Sequence, residues 1–178
     1  MTQTLYHGST SLVESPNTSQ SNPSNDFGSG FYTTPNRDEA REWARRKAAY
    51  QGRPGYLNAY ELAFDSGLTF YKFDREALSD LLWLNFILKN RGYDDFIPLG
   101  YDFSMLSKDI LIGPIANNKL AVQMNMLTSG LIEGDTLDEV KLRFIGLLSP
   151  SRLDNQFCFK NNFATAHLKF RGAERVDE

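Results

Sequence analysis

Apolar residues recur at helical spacing in four segments of the chain. Asn36, followed by Glu39 three residues later, has the pattern of a capping box and predicts a helix that ends near Gln51-Gly52. The packing face of this helix is predicted to carry four residues, Ala40, Trp43, Ala44 and Ala48. The other predicted helices are about Arg75–Asn90, Leu120–Leu127 and one opened by a capping box at Thr136 that runs through Leu148.

Short alternating, aromatic-rich segments lie between these helices and predict strands. The strands are predicted at Phe31–Thr34, Tyr56–Phe64, Leu68–Phe73, Asp109–Ile115, Asn155–Lys160 and Leu168–Val176, after a short apolar start at Leu5–His7 that breaks at Gly8. Residues 14–25 are polar and proline-containing, which predicts a flexible loop. The interleaving of short strands with helices predicts an α+β fold for residues 1–178, as a single domain with mixed short strands in a split two-sheet core and flanking helices.

Composition narrows the class of protein. The formal net charge of -3 argues against coating of nucleic acid by bulk electrostatics. The chain lacks the ~20 consecutive apolar residues of a membrane span and the layout of a signal peptide, so we expect a cytoplasmic protein without a membrane partner. Four basic residues of the first helix form a solvated face or, alternatively, a phosphate or nucleic-acid contact: Arg41, Arg45, Arg46 and Lys47.

The usual catalytic motifs are absent from the sequence. It contains no nucleophile elbow, Walker loop, GxGxxG or HExxH motif. The single cysteine excludes a disulfide within the chain, and with only two histidines we expect no metal site. A nucleophilic pair of Cys158 with either His7 or His167 is conceivable, but the alternating Phe157-Cys158-Phe159 segment favours a buried, inert cysteine.

Two segments remain as candidates for a functional site: Tyr6-His7-Gly8-Ser9 and the block from Asp26 to Thr34 (DFGSGFYTT). With them the sequence resembles the ADP-ribosyltransferase superfamily, in the His–Tyr branch that includes diphtheria toxin and the poly(ADP-ribose) polymerases. It looks most like a poorly characterised bacterial family of that superfamily. Matching segments follow in order along nearly the whole chain: Trp43-Ala44, Asn58-Ala59-Tyr60, Trp83–Arg91, Asp109–Pro114 with Ala116, and Asn155–Phe159.

The resemblance implies a binding site for NAD, used as a co-substrate. His7 is expected to hydrogen-bond the adenosine-side ribose, the Gly8 backbone to hold the carboxamide, and Ser9 to add a hydroxyl contact. Tyr32 is expected to stack on the nicotinamide ring, whose positive charge favours an aromatic face. The rest of the pocket is expected from the Gly-x-Gly-aromatic segment that precedes this tyrosine, with its residues Gly28, Gly30 and Phe31.

The resemblance is imperfect at its third element. Many relatives carry a Glu on a late strand, where it grips the ribose 2′-hydroxyl and stabilises the ribosyl cation; here Gln156 occupies that position. An amide oxygen accepts the same hydrogen bond but carries no net charge, so the interaction is weaker. Asp154, two positions earlier, is expected to supply the missing carboxylate or to orient the acceptor, which makes Gln156, Asp154, Tyr32 and His7 the candidate catalytic residues.

The function expected from the resemblance is mono-ADP-ribosyl transfer from NAD to a macromolecular acceptor, either protein or nucleic acid. The protein is then expected to act as a bacterial toxin or defence effector, with a neutralising antitoxin or immunity protein as a further partner. Two alternatives remain open: a weakened module that binds NAD or ADP-ribose, which Gln156 motivates, and an NAD glycohydrolase with water as the acceptor.

Overall fold

Two β-sheets form the centre of the protein. The computed structural model describes residues 2–19, 21–64, 67–74, 77–115, 119–150 and 153–176. The first sheet is antiparallel, in the order β1-β3-β7, and contains β1 (Thr2–Ser9), β3 (Gly55–Ala63) and β7 (Leu168–Val176). The second has the order β2-β6-β5-β4 and contains β2 (Phe31–Thr33), β6 (Asn155–Phe159), β5 (Ile110–Pro114) and β4 (Phe70–Lys72).

Five helices flank the two sheets in the described part of the chain. They are α1 (Arg37–Gln51), α2 (Ala77–Asn90), α3 (Lys119–Thr128), α4 (Leu137–Leu148) and the short α5 (Asn162–Thr165). Single 3-10 turns at Asp94–Phe96 and Ser104–Leu106 lie between α2 and β5. Among the described residues, no helix has both the length and the apolar composition needed to cross a bilayer.

Three clusters of buried side chains give the order of the layers. Ala40 and Ala44 of α1 pack on Leu57 of the first sheet. Between the two sheets lies a second cluster that includes Leu5 and Phe157. The largest cluster covers the far face of the second sheet, where α2 and α4 contribute Trp83, Leu84, Ile87, Leu88, Phe144 and Ile145. The described part of the chain is therefore layered helix, sheet, sheet, helices.

Besides the side chains packed between them, the two sheets are joined at one corner by backbone hydrogen bonds. Tyr6 of β1 and Thr34, just after β2, form an isolated antiparallel bridge. Its two hydrogen bonds run from Tyr6 N to Thr34 O at 2.8 Å and from Thr34 N to Tyr6 O at 2.9 Å. This bridge brings the end of β1, with His7 to Ser9, next to β2.

The α+β prediction with a split two-sheet core is confirmed, and most elements lie where the hydrophobic pattern predicts them. The predicted break of the first strand at Gly8 is wrong, because β1 continues to Ser9 and Gly8 pairs with Leu57 of β3. The two strands predicted on either side of residue 65 are present but belong to different sheets, since β4 pairs parallel to β5.

Trp43 is the other correction. The sequence predicts it on the packing face of α1, but 45 % of its surface is exposed. The reason is the close approach of α1 to the first sheet: a Cβ on Gly8 would lie 2.2 Å from the carbonyl oxygen of Ala40. Only small side chains fit in this seam, so Ala40 and Ala44 fill it and the indole lies outside.

The polar segment 14–25 contains no helix or strand among its described residues. It is attached at two points: Thr18 donates to Asn162 Oδ1 at 3.1 Å from its backbone nitrogen, and Gly30 N donates to Ser21 Oγ at 2.6 Å. Its flexibility stays a prediction. The predicted helix start at Arg75 and Ala116 of the resemblance lie outside the described residues.

Candidate functional site

His7 is held at the end of β1 by contacts on both sides. Its Nδ1 lies 2.6 Å from the main-chain oxygen of Tyr32, and its ring packs on that of Phe31 with the centroids 4.5 Å apart. The buried Asn58 of β3 donates to the His7 carbonyl at 3.3 Å. The same amide donates to the Ser11 carbonyl and accepts from Val13 N, which ties the following segment to the strand.

The protonation state of His7 follows from its surroundings. Burial, together with the nearby charge of Lys47, lowers the pKa of His7 to about 4, so the ring is neutral at pH 7. Because a carbonyl oxygen only accepts hydrogen bonds, the proton of the neutral ring lies on Nδ1, which donates to Tyr32 O. Nε2 is thereby an acceptor, and no described residue hydrogen-bonds to it. A hydroxyl group is the ligand that this nitrogen suits.

Gly8 and Ser9, which follow His7, are already engaged within the protein. Lys47 Nζ donates to the Gly8 carbonyl at 3.3 Å, and burial lowers the pKa of this lysine. The Ser9 hydroxyl lies 3.3 Å from the Ser11 hydroxyl and accepts from Ser11 N at the same distance. Any contact from Gly8 to a carboxamide has to avoid or displace the lysine. Lys47 also lies 5.5 Å from the exposed ring of Trp43.

The glycine segment brings residues 26–30 against the second sheet. Gly28 has a left-handed φ of 72°, which turns the chain before β2. A Cβ on Gly30 would lie 2.4 Å from Cys158 Sγ and 2.8 Å from the Phe159 carbonyl, so only glycine fits there without displacement of β6. Both glycines therefore serve the approach of this segment to β6.

Phe31 and Tyr32 project from opposite faces of β2, as neighbours in a strand do. Phe31 belongs to the cluster between the sheets, where it contacts His7, while the half-buried ring of Tyr32 packs against the cluster beneath the helices. The Tyr32 hydroxyl donates to the Gly28 carbonyl at 2.6 Å and accepts from Phe27 N at 3.1 Å. The structure thus joins His7 to the backbone of Tyr32 but keeps their two rings on different faces of β2.

Gln156 lies near the start of β6 with only 8 % of its surface exposed. Its Nε2 donates to Asp26 Oδ2 at 3.2 Å and to the Pro114 carbonyl at 3.2 Å. Both protons of the amide nitrogen are thus used, and a flipped amide would place Oε1 against two acceptors. No described residue donates to Oε1, which is left to bind a donor from a ligand.

Asp26 is held by hydrogen bonds from Asn90, the last residue of α2, and from Arg91, which follows it. Arg91 donates to Oδ1 from Nε at 3.1 Å and from a second guanidinium nitrogen. Asn90 donates to the Asp26 carbonyl at 2.9 Å. On the other side of the amide, Trp83 Nε1 donates to the same Pro114 carbonyl as Gln156, at 3.2 Å. Four distant parts of the sequence therefore come together here: Asp26, residues 83–91, Pro114 and Gln156 itself.

Asp154 has a different place from the one expected. It precedes β6, is exposed, and accepts from Asn36 Nδ2 at 2.6 Å through Oδ2. The Oδ1 of Asn36 accepts from the backbone nitrogens of Asp38 and Glu39, so Asn36 is the N-cap of α1. The carboxylate that contacts Gln156 belongs to Asp26, and that of Asp154 secures the start of α1.

Cys158 is fully buried on β6, as the sequence favours, and burial raises the pKa of its thiol to about 11. A thiol of this kind is protonated at neutral pH and is a poor nucleophile. In the described ranges, no group of three or more His, Cys, Asp or Glu side chains lies close enough together to hold a metal ion.

Sequence reasoning missed three members of this region as site residues: Asp26, Arg91 and Lys47. Asp26 and Arg91 lie in segments that carry the resemblance, and Lys47 lies on the basic face of α1. Nothing in the local sequence, however, indicates that Asp26 contacts Gln156, which lies 130 positions later. The spatial pairing of β6 with β5 and β2 makes this contact.

No curated protein and no solved structure matches the chain. Residues 3–170 match the model of one protein family, described as a protein of unknown function (DUF3990). The match covers most of the described strands and helices, from β1 into β7. The chain is therefore a member of the DUF3990 family.

Proposed function

We propose that the protein transfers ADP-ribose from NAD to a macromolecular acceptor. The observation that carries the proposal is the orientation of the Gln156 amide, whose nitrogen is committed to Asp26 and Pro114 so that its oxygen is left to accept a hydrogen bond. His7 offers a second oriented acceptor, Nε2, since its Nδ1 proton is used by Tyr32 O. Each neutral acceptor of fixed direction suits a ribose hydroxyl, that of His7 on the adenosine side of NAD and that of Gln156 on the nicotinamide side.

The chemistry places defined demands on these groups. The bond between C1′ of the ribose and the nicotinamide nitrogen breaks, and its electron pair leaves with nicotinamide. The ribosyl cation that forms is stabilised by an acceptor held on its 2′-hydroxyl, which is the role of Gln156. A nucleophile of the acceptor then gives an electron pair to C1′ and releases its proton to solvent or to a base on the acceptor.

Further support comes from the parts of the site that the sequence predicts. Gly28 and Gly30 let residues 26–30 approach β6, and Tyr32 hydrogen-bonds Phe27 and Gly28 at the same turn. In the proposal His7 binds a ribose hydroxyl, and Tyr32 lends its half-buried ring to the nicotinamide end. The cytoplasm supplies the NAD that such an enzyme needs.

Incubation with NAD labelled in its adenylate group tests the proposal. Label in protein or nucleic acid supports transfer and identifies the class of acceptor, and growth arrest on expression supports action as a toxin. Free ADP-ribose alone indicates a glycohydrolase. Binding without turnover indicates a binding module, the alternative that the uncharged amide of Gln156 favours.

Two variants locate the site. His7→Ala and Tyr32→Ala are expected to reduce turnover or NAD affinity about 10-fold or more, because each removes one preorganised contact. His167→Ala is the matched control, since that histidine contacts Phe163 at the surface. Circular dichroism verifies that each variant is folded. Full activity in both site variants would show that NAD binds elsewhere.

A further inference from the structure

We propose that Asp26 is the residue that positions and polarises Gln156, so that a carboxylate acts on the reaction through the amide. This inference rests on the proposed function for its catalytic part. Its structural part, the control of the Gln156 orientation by Asp26, stands on the geometry alone.

The two carboxylate oxygens of Asp26 have different partners. Oδ1 accepts from Arg91, and Oδ2 accepts from Gln156 at 3.2 Å. The side chain of Asp26 is 10 % exposed and that of Arg91 27 % exposed, so this ion pair is partly shielded from water. The guanidinium fixes the carboxylate plane, and the second oxygen faces the amide.

The contact with Asp26 also changes the charge on the amide oxygen of Gln156. A hydrogen bond from an amide N–H to a carboxylate draws electron density toward the amide oxygen at its other end, because linked hydrogen bonds polarise one another. Oε1 of Gln156 then carries more negative charge than an isolated amide oxygen. The chain therefore has a carboxylate one hydrogen bond away from the position where many relatives carry the glutamate.

A glutamate is unsuited to position 156 in this chain. A carboxylate there would place an oxygen 3.2 Å from both Asp26 Oδ2 and the Pro114 carbonyl, where the amide nitrogen now lies. Two carboxyl groups at that distance do not both ionise, since like charges disfavour the charged form. The Gln156→Glu variant is therefore expected to be less active than the natural protein, although the resemblance to ADP-ribosyltransferases implies a glutamate at this position.

An exchange of the two groups tests the proposal. Asp26→Asn leaves one side-chain oxygen for two donors, Arg91 and Gln156, so the amide of Gln156 loses its fixed direction. Gln156→Glu creates the repulsion just described. The double variant Asp26→Asn/Gln156→Glu restores a donor–acceptor pair between the two positions, because the new amide at position 26 donates to the new carboxylate at position 156 and still accepts from Arg91. The unfavourable contact of that carboxylate with the Pro114 carbonyl remains, so the rescue is expected to be partial.

Steady-state cleavage of NAD by the full chain is the measurement. Each single variant is expected to lower kcat about 10- to 100-fold with a smaller change in KM, by analogy with the loss found when the hydrogen-bond partner that orients a metal-ligating side chain is removed. The double variant is expected to regain at least half of that loss on a logarithmic scale. Glu61→Gln, which removes a surface carboxylate paired with Arg171, is the matched control and should leave kcat unchanged.

A second readout separates this inference from the proposed function. Urea unfolding of the four proteins of the cycle measures whether the two positions interact, with or without turnover. Stabilities that add independently, or a double variant no more active than the product of the single effects, would overturn the positioning role. Coupled stabilities in a protein that never cleaves NAD would retain the contact and overturn the proposed function instead.

Discussion

The imidazole Nδ1 of His7 donates its proton to the main-chain oxygen of Tyr32 at 2.6 Å, across the corner where the two sheets meet. This hydrogen bond gives the ring one tautomer and one orientation, and it makes the protonation of His7 a matter of fold stability as well as of function.

The first prediction concerns pH. The folded pKa of His7, about 4, lies below its ordinary value of 6.5, so between these values the unfolded chain binds a proton that the folded chain does not. The free energy of unfolding should therefore fall as the pH drops from about 6.5 toward 4, by as much as about 3 kcal/mol. Urea denaturation across this range measures it.

Two variants assign this pH dependence to the histidine. His7→Gln should flatten the loss of stability between pH 6.5 and 4, whereas His167→Gln, with its ring near Phe163 at the surface, should keep it. Equal slopes for the natural protein and His7→Gln would place the titrating group elsewhere.

The second prediction concerns the seam between β1 and α1. A Cβ at Gly8 would lie 2.2 Å from the Ala40 carbonyl and 2.7 Å from Ala44 N, both backbone atoms that move only with the helix. Gly8→Ala should cost about 3 kcal/mol of stability or more, at the upper end of overpacking effects. Gly146→Ala in α4 is the control: its Cβ meets nothing within 4 Å, and the helix should gain roughly 0.5–1 kcal/mol. Thermal unfolding of the two variants measures these changes in stability, and an unchanged stability of Gly8→Ala would contradict the prediction.

The third prediction concerns the cap of α1. Aspartate is as good an N-cap as asparagine in general, but at position 36 its carboxylate would face that of Asp154, whose oxygen now lies 2.6 Å from the Asn36 amide nitrogen. Asn36→Asp should therefore lower stability by roughly 1 kcal/mol at pH 7. The double variant Asn36→Asp/Asp154→Asn should recover it, and an unchanged stability in the single variant would argue against the contact.

The fourth prediction concerns residues 14–25. Their amides should exchange hydrogen for deuterium faster than those of α2, because the described residues of the segment have no helix or strand hydrogen bonds and the anchors at Thr18 and Ser21 each depend on a single side chain, the first of them exposed. Mass spectrometry of the exchanged protein measures this. Protection equal to that of the Leu82–Leu88 segment would contradict the predicted flexibility.

The sequence predicts local structure well in this chain and distant contacts poorly. The N-cap at Asn36, the left-handed Gly52 at the end of α1 and the bounds of β7 all depend on residues within a few positions of one another. The exposure of Trp43 could not be predicted, since it depends on how closely α1 approaches Gly8 on another element.

The candidate site also contains residues that the sequence could identify and one that it could not. The resemblance nominates His7, Tyr32 and Gln156 from short segments of the sequence, but the carboxylate next to Gln156 could not be selected from those segments. Asp154, its neighbour in sequence, contacts Asn36, while Asp26 reaches the amide from 130 residues away. The pairing of β6 with β2 and β5 decides between these two aspartates. The hydrophobic pattern indicates which face of a strand is buried, but it does not by itself tell which distant strands are neighbours.

The order of strands also determines which part of the chain has to be synthesised before the two sheets are complete. β3 pairs with β1 early in the chain, but its other neighbour is β7, and the second sheet is joined by β6, which lies between β2 and β5. Until residues 155–176 emerge, β2 has no strand partner in its own sheet and Gln156 has not met Asp26. A nascent chain without residues 155–176 therefore lacks β6, β7 and the oriented Gln156 amide, so the candidate site is expected to form only through pairing between distant parts of the chain.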